Sequence, residues 1–322
     1  MSEERADYCW LNGKFVKWEN AMVHIKTHAL HYGSGVFEGI RGYGTEDGNV
    51  LIFRLREHID RLFYSAKVYR MKVPYSKEEI CEAIVELVRR NNFHETVYIR
   101  PIVFRGYGPL GLNPINVPVE AAIYVVPFGR YLGPDALEKG VRCMFSSWER
   151  ISPRALPPEV KACGQYINSI LAKLEAIEHG FDEALFLDHR GFVAEGSGEN
   201  LFAVKNGELI TPPTYASILK GITRDTVITL AKEELGIPVI ERDITRAELY
   251  NMDEVFITGT AGEITPVIEI DKIPIGDGKP GPITRKLQKA FRPAQGELHR
   301  ARDLGARGGQ PNAPIELHGN GG

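Results

Sequence analysis

Lys161-Ala-Cys-Gly-Gln-Tyr166-Ile-Asn-Ser-Ile170-Leu-Ala-Lys-Leu174-Glu-Ala-Ile177 sets a lysine and a few small residues ahead of a regular apolar pattern. Ile167, Ile170, Leu171, Leu174 and Ile177 recur at helical spacing, so an amphipathic helix follows and Lys161 stands at or just before its N-terminal end. Tyr166 is one turn into that helix, near enough to share a pocket with the lysine. Further on, Glu195 lies in the turn-rich run Val193-Ala-Glu-Gly-Ser-Gly-Glu-Asn-Leu-Phe202. Its surroundings are of β type: residues 183–187 and 200–204 read as strands, and Asn206-Gly207 is a hairpin signal ahead of a strand at 208–210.

The two residues suggest a chemistry. A free lysine, with a pKa of about 10.4, is a poor nucleophile at neutral pH, but a desolvated lysine or one bonded to a carbonyl carbon can serve in catalysis. An amine in a small-residue pocket and a carboxylate in a glycine-lined loop are what pyridoxal phosphate chemistry needs, because the carboxylate keeps the pyridine nitrogen protonated and the ring can then accept electrons. Three elements offer themselves to a phosphate. Lys220-Gly-Ile-Thr223 opens a helix over 223–235, and a helix start presents backbone N–H groups and a positive dipole end. Thr258-Gly-Thr-Ala-Gly262 ends a strand in small residues that let backbone donors approach a ligand, and Arg61 can add a charge-assisted bond.

Composition fits a soluble metabolic enzyme: 322 residues suggest about two domains, and 43% apolar with 25% charged residues is ordinary globular usage. A net charge of -3 makes no electrostatic case for nucleic acid or an anionic membrane. No apolar run approaches the ~20 residues of a transmembrane helix, and Met1-Ser-Glu-Glu-Arg is too acidic and polar for a signal peptide, so a cytoplasmic enzyme is expected. Cys9, Cys81, Cys143 and Cys163 form no CxxC pair, which argues against zinc and fits reduced thiols. His24, His28 and His31 share a helical face, yet apolar residues interleave them and no acid completes a ligand set, so no metal is expected.

Along the chain, a hairpin at Asn12-Gly13 precedes helices over 55–70 and 77–90 and strands over 97–104 and 121–126. Proline and glycine spacing marks 128–134 as a linker, so a small N-terminal α/β domain is expected over 1–127 and a large cofactor-binding domain over 135–292. The latter holds strands over 141–148, 239–240 and 254–258. From 293 to 322 large apolar side chains are scarce and Gly, Pro, Arg and Gln abundant, the composition of a flexible tail. Gly106-Tyr-Gly-Pro-Leu-Gly111 matches GxGxxG formally, but Pro109 interrupts it and no helix follows, so an active-site lid loop fits better than a Rossmann turn. Ser197 lacks the spacing of a nucleophile elbow, and Cys163 reads as a small packed residue, with a redox-sensitive thiol as the other reading.

Together these stretches resemble the fold-type IV pyridoxal phosphate enzymes, and among them the branched-chain amino acid aminotransferases of bacterial and archaeal type. The resemblance runs from about Tyr8 to Phe291. It rests on His28-Ala-Leu-His-Tyr-Gly-Ser-Gly-Val-Phe-Glu-Gly-Ile-Arg41, Arg54-Leu-Arg-Glu-His-Ile-Asp-Arg61, Tyr98-Ile-Arg100 with Pro101, the Lys161 and Glu195 stretches, Gly221-Ile-Thr-Arg224, and Gly259-Thr-Ala-Gly-Glu-Ile-Thr265 with Pro266. It implies a two-domain α+β enzyme with its active site in the interdomain cleft. Lys161 would be the Schiff-base lysine and proton shuttle, Glu195 the partner of the pyridine nitrogen, and Tyr166 the partner of the ring hydroxyl. Arg61, the backbone of Ile222 and Thr223, and Thr260 would hold the phosphate. Tyr98 with Thr260 and Ala261 would receive the substrate carboxylate, Gly39, Phe37, Tyr32 and Tyr131 would shape the substrate pocket, and Arg100 would accept the second carboxylate of glutamate or 2-oxoglutarate. The implied reaction is reversible amino transfer between leucine, isoleucine or valine and 2-oxoglutarate, by a homodimer or a higher assembly such as a hexamer. D-amino acid aminotransferase and aminodeoxychorismate lyase share the fold and would keep Lys161 and Glu195, while a non-catalytic cofactor-binding protein is the reading from another class.

Overall fold

The computed structural model describes residues 6–129, 132–133 and 135–291. Tyr131 and the tail over 293–322 lie outside these described residues. The chain forms two compact units: Val160–Gly164 groups with the residues up to Gly129, and the remainder of the chain to residue 291 makes the second unit.

The first unit begins with strands β1 (Tyr8–Leu11) and β2 (Lys14–Lys17), joined where Asn12 and Gly13 take φ of 47° and 84°. Positive φ at both central residues is what a tight hairpin requires, and Asn-Gly supplies it at low cost. There follow α1 (His28–Tyr32), β3 (Gly35–Phe37), β4 (Ile40–Gly44), β5 (Val50–Ile52), α2 (Leu55–Val68), α3 (Lys77–Arg90), β6 (Val97–Arg105) and β7 (Val119–Pro127). The strands run in the order β2-β1-β7-β6-β4-β5, with β3 also on β6. A capping box starts α3: Ser76 Oγ accepts from the Glu79 N–H at 3.1 Å, and Glu79 accepts from the Ser76 N–H at 2.6 Å. Ile59, Leu62 and Ala66 of α2 and Ile80, Ile84 and Leu87 of α3 share one core with Ile99 and Val103 of β6 and Ile123 and Val125 of β7. Each such Val, Leu or Ile side chain, fully buried, contributes ~1.5–3 kcal/mol. Alternation along β6 then leaves Tyr98 and Arg100 together on the other face.

The second unit contains α4 (Ala136–Lys139), β8 (Val141–Phe145), α5 (Tyr166–Glu178), β9 (Glu183–Leu187), β10 (Val193–Gly196), β11 (Asn200–Lys205), β12 (Glu208–Thr211), α6 (Ile222–Thr229), β13 (Val239–Glu241), α7 (Arg246–Leu249), β14 (Glu254–Gly259), β15 (Glu263–Ile270), β16 (Ile273–Pro274) and α8 (Pro282–Phe291). The strand order is β10-β9-β8-β15-β14-β11-β12-β13, and β10 also pairs with β11 at Glu195 and Asn200, which closes six strands on themselves. The expected helix over 223–235 is α-helical only to Thr229 and continues as a π-helical turn over Leu230–Glu234. In α5 the residues that turn inward are Ser169, Ala172 and Ala176. Ile167, Ile170, Leu174 and Ile177 are instead 50–59% exposed, so the apolar stripe read from the sequence points outward. Among the described residues no helix is long and apolar enough to cross a membrane.

Candidate active site

In the first unit the segment of Lys161 is held by backbone and by α2. Ala162 bridges Val36, the Phe37 N–H donates to the Lys161 carbonyl at 3.0 Å, and the Lys161 N–H donates to Ser65 Oγ at 3.2 Å. Lys161 is therefore on an extended stretch, with a 3-10 turn at Cys163–Gln165 between it and α5, rather than at the helix start. Its Nζ lies 5.1 Å from the centre of the Phe37 ring. The Arg100 guanidinium lies 4.5 Å from the same ring and donates from Nη2 to the Tyr98 hydroxyl at 2.8 Å. A Cβ at Gly39 would overlap that hydroxyl, so glycine is required for Tyr98 to reach this position. Phe37, Gly39, Tyr98, Arg100 and Lys161 thus form one group. Tyr32 is on α1, half out in solvent, with its ring 4.5 Å from that of His28. Burial pushes the Cys163 thiol upward, with Arg100 opposing it in part, which favours the protonated sulfur.

Arg61, on α2, meets a carboxylate that sequence reading did not single out. Its Nε and Nη2 donate to Glu38 at 2.6 and 2.8 Å, and His58 Nδ1 is 2.8 Å from the same carboxylate. Burial alone would raise the Glu38 pKa, but Arg61 and His58 outweigh it and hold the carboxyl well below the usual range. Burial pushes His58 downward despite Glu38, so the imidazole is neutral at physiological pH and Nδ1 carries its proton.

In the second unit Glu195 sits on β10, 4% exposed, and three donors orient it. Arg150 Nε donates to Oε1 at 2.8 Å, while Asn200 Nδ2 and the Leu219 N–H donate to Oε2 at 2.9 and 3.1 Å. Asn200 Nδ2 also donates to the Leu219 carbonyl at 2.8 Å. A Cβ at Gly221 would overlap Asn200 Oδ1, so glycine here lets the chain pass Asn200 directly before α6 begins. Ile222 and Thr223, both buried, open α6, where N–H groups point out along the axis toward any anion. Thr260 and Ala261 form the turn between β14 and β15 and are half-buried. That turn runs beside the Glu195 loop: a Cβ at Gly259 would stand 3.4 Å from the Gly198 carbonyl. Tyr166 opens α5. Nearby Glu199 is fully buried, and burial with the adjacent Glu183 and Glu195 pushes it up to about 8, against the pull of Lys173. Lys173 itself is paired with Glu183 at 2.7 Å.

A family model described as amino-transferase class IV matches residues 35–270, most of the chain. The chain belongs to the class IV aminotransferases. It is 49% identical over 292 residues to the branched-chain-amino-acid aminotransferase of Escherichia coli, spanning 90% of this chain and 94% of that protein. A crystal structure of an Escherichia coli branched-chain amino acid aminotransferase superposes with a TM-score of 0.87 over 89% of this chain and 94% of that one, at 49% identity. The branched-chain amino acid aminotransferase of Thermobaculum terrenum, in its PLP-bound holo form, does so with a TM-score of 0.84, at 42% identity, over 90% and 94% of the two chains. The α+β fold of this class IV aminotransferase is thus the fold-type IV architecture.

Four residues of this aminotransferase that bear on the site were not foreseen: Glu38, His58, Arg150 and Asn200. His58 had a local signal, since it lies three positions before Arg61 and so on the same face of α2. Arg150 had none, being isolated in the loop after β8. The three histidines read as non-ligands are engaged locally: His28 Nδ1 meets Ser34 Oγ at 2.7 Å, His31 Nε2 meets the Ile25 carbonyl at 2.9 Å, and His24 Nδ1 accepts from the Lys26 N–H at 3.0 Å.

Proposed function

We propose that this chain performs reversible amino transfer between L-leucine, L-isoleucine or L-valine and 2-oxoglutarate, with pyridoxal 5'-phosphate as cofactor. The observation that carries the reading is one aromatic ring with two cationic groups against it: Lys161 Nζ at 5.1 Å and the Arg100 guanidinium at 4.5 Å from the centre of Phe37. An apolar wall receives a branched side chain, and a guanidinium beside it receives the second carboxylate of glutamate or 2-oxoglutarate. Two substrates of opposite polarity then use one pocket.

The residues fit the cofactor. In the second unit the start of α6 at Ile222 and Thr223 and the Thr260 turn would offer donors suited to a phosphate dianion, and Arg61 of the first unit would add a charged one. Glu195, buried and oriented by Arg150 and Asn200, is an acceptor for a protonated pyridine nitrogen. When bound, pyridoxal phosphate stores the amino group between half-reactions and withdraws electrons from the substrate α-carbon. Lys161 Nζ takes the α proton and returns it. As the resemblance implies, Tyr166 would bond the ring hydroxyl of the cofactor, and the Tyr98 hydroxyl and the Thr260 and Ala261 turn would each be donors for the substrate α-carboxylate. Gly39 leaves room beside Tyr98, and Phe37 and Tyr32 would line the apolar side chain, a role the resemblance also implies for Tyr131, which lies outside the described residues.

The same reading makes the protein a cytoplasmic homodimer or higher homo-oligomer. Four thiols without disulfides fit a reducing compartment, and the outward stripe Ile167, Ile170, Leu174 and Ile177 gives a second copy an apolar face to cover. The test is a panel of half-reactions followed by visible absorbance. L-leucine, L-isoleucine, L-valine and L-glutamate should each bleach the aldehyde form, and D-amino acids should not. Preference for D-amino acids, or no change with any amino acid, overturns the reading.

A further inference from the structure

Of a buried triad on the first unit, Arg61 has a proposed part in binding the cofactor, while Glu38 and His58 have none. Glu38 has no solvent exposure and His58 1%, while the side chain of Arg61 is 12% exposed. The carboxylate grips the guanidinium with both oxygens, at 2.6 Å from Nε and 2.8 Å from Nη2, and His58 Nδ1 donates to it at 2.8 Å. A two-pronged pair of this kind fixes the plane and direction of a guanidinium, where a single contact leaves it free to rotate. The carboxylate is in turn fixed at its root. It follows Phe37, whose N–H is bonded to the Lys161 carbonyl, and its own N–H donates to the Pro101 carbonyl at 2.9 Å.

Helix α2 carries the arrangement. His58, Arg61 and Ser65 follow at intervals of three and four, one face of the helix. The first two converge on Glu38, and Ser65 Oγ accepts the Lys161 N–H at 3.2 Å. The same helix face therefore sets the direction of Arg61 and the position of the Lys161 backbone. An ion pair that only stabilised the fold would need neither the partial exposure of Arg61 nor this sharing of a face.

We propose that Glu38, steadied by His58, is the positioning residue for Arg61, holding its guanidinium in the one orientation from which it meets the phosphate of the cofactor. The proposal rests on the reading of Arg61 as a phosphate ligand. Two effects of Glu38 oppose each other: its negative charge repels a dianion, and its grip orients the arginine. Charge-assisted, two-pronged geometry prevails, because a bond to an ionised group loses most of its strength when misaligned.

Titration of the full-length apoenzyme with pyridoxal 5'-phosphate and with pyridoxal, which has no phosphate, tests this. Glu38→Gln should weaken pyridoxal phosphate about ten- to a hundredfold, the range of one hydrogen bond to a charged group, and change pyridoxal by less than about twofold. Once Arg61→Gln is present, adding Glu38→Gln should cost nothing more, because the effect passes through the arginine. Equal weakening of both ligands would reveal a structural role only and overturn the proposal. So would tighter binding of pyridoxal phosphate by Glu38→Gln, which would mean that the carboxylate merely competes for Arg61. If Arg61→Gln leaves pyridoxal phosphate affinity unchanged, the phosphate assignment itself fails. Should Glu38→Gln not fold, Arg61→Lys keeps the charge but loses the two-pronged grip. It should weaken pyridoxal phosphate nearly as much as Arg61→Gln, and wild-type affinity in that variant would refute the need for orientation.

Discussion

Replacing Arg100 by Met isolates the contribution of one charge, because the Met stem keeps the packing over Phe37 that the arginine stem provides. In the structure the Arg100 guanidinium lies 4.5 Å from the Phe37 ring and donates from Nη2 to the Tyr98 hydroxyl at 2.8 Å. The hydroxyl bond is lost for every substrate and is worth ~1 kcal/mol, about fivefold. A dicarboxylate loses in addition the bond between its second carboxylate and the guanidinium, ~1.5–3 kcal/mol, or about ten- to a hundredfold. Single-turnover half-reactions should therefore show kcat/KM for glutamate and 2-oxoglutarate falling about ten- to a hundredfold further than for leucine and its oxo acid. The ratio is the informative quantity, since the Tyr98 contribution cancels from it. Equal losses for both substrate classes would mean that Arg100 serves the shared α-carboxylate or only braces Tyr98, and dual recognition would need another cation.

Lys161→Ala should abolish both half-reactions while the protein still takes up pyridoxal phosphate through the phosphate donors, a combination visible in absorbance after gel filtration; retained turnover would remove the central assignment. Arg150→Met breaks a buried pair with Glu195 at 2.8 Å and should cost ~3 kcal/mol or somewhat more, read as a lower thermal midpoint of the apoenzyme; an unchanged midpoint would show that Asn200 and Leu219 suffice. Glu199, raised to about 8 in the folded chain from its ordinary value of 4.5, gives a pH dependence of definite sign. The folded state holds this proton more tightly than the unfolded state, so its contribution to stability is full below about 4.5 and is lost as pH rises to about 8, by up to ~1.4 kcal/mol per pH unit. Glu199→Gln should flatten that decline in thermal midpoints between about pH 5 and 8, and an unaltered slope would assign the proton elsewhere.

What could be read from sequence was local. The helix α3 matches its expected range because Ser76 and Glu79 cap it from within, and the Asn12-Gly13 and Asn206-Gly207 turns take the positive φ that their residues favour. What escaped was non-local. Strand β15 contains Pro266, which argues against an internal strand, yet the parallel pairing with β8 starts only at Val267, so the proline falls outside that ladder. Helix α8 begins at Pro282 and is capped from another element: both Glu254 oxygens accept from the Ile283 and Thr284 N–H groups, at 2.9 and 2.8 Å. The apolar period of α5 gave the helix but not which way it faces, because Ala172 and Ala176 pack inward while the larger residues do not. In the site, motifs marked Arg61, Lys161 and Glu195 as candidates, but the partners that hold Arg61 and Glu195, namely Glu38 and Arg150, carried no such mark. Their meaning depends on a neighbour distant in sequence.

The short stretch Val160–Gly164 belongs to the first unit, and Val160 and Ala162 are buried in its core. That unit is N-terminal in position but not in completion. A ribosome that has released residues up to Gly129 must still deliver residues 130–159, which belong to the second unit, before the missing piece emerges. At about 5–20 residues per second this leaves the nascent unit incomplete for roughly 2–6 s, with part of its apolar surface uncovered. A fragment ending at Gly129 would lack the same piece permanently. Separate expression of the two halves, or a cut anywhere between them, therefore cannot yield two finished units, and Lys161, the proposed catalytic residue, is also among the last parts the N-terminal unit receives.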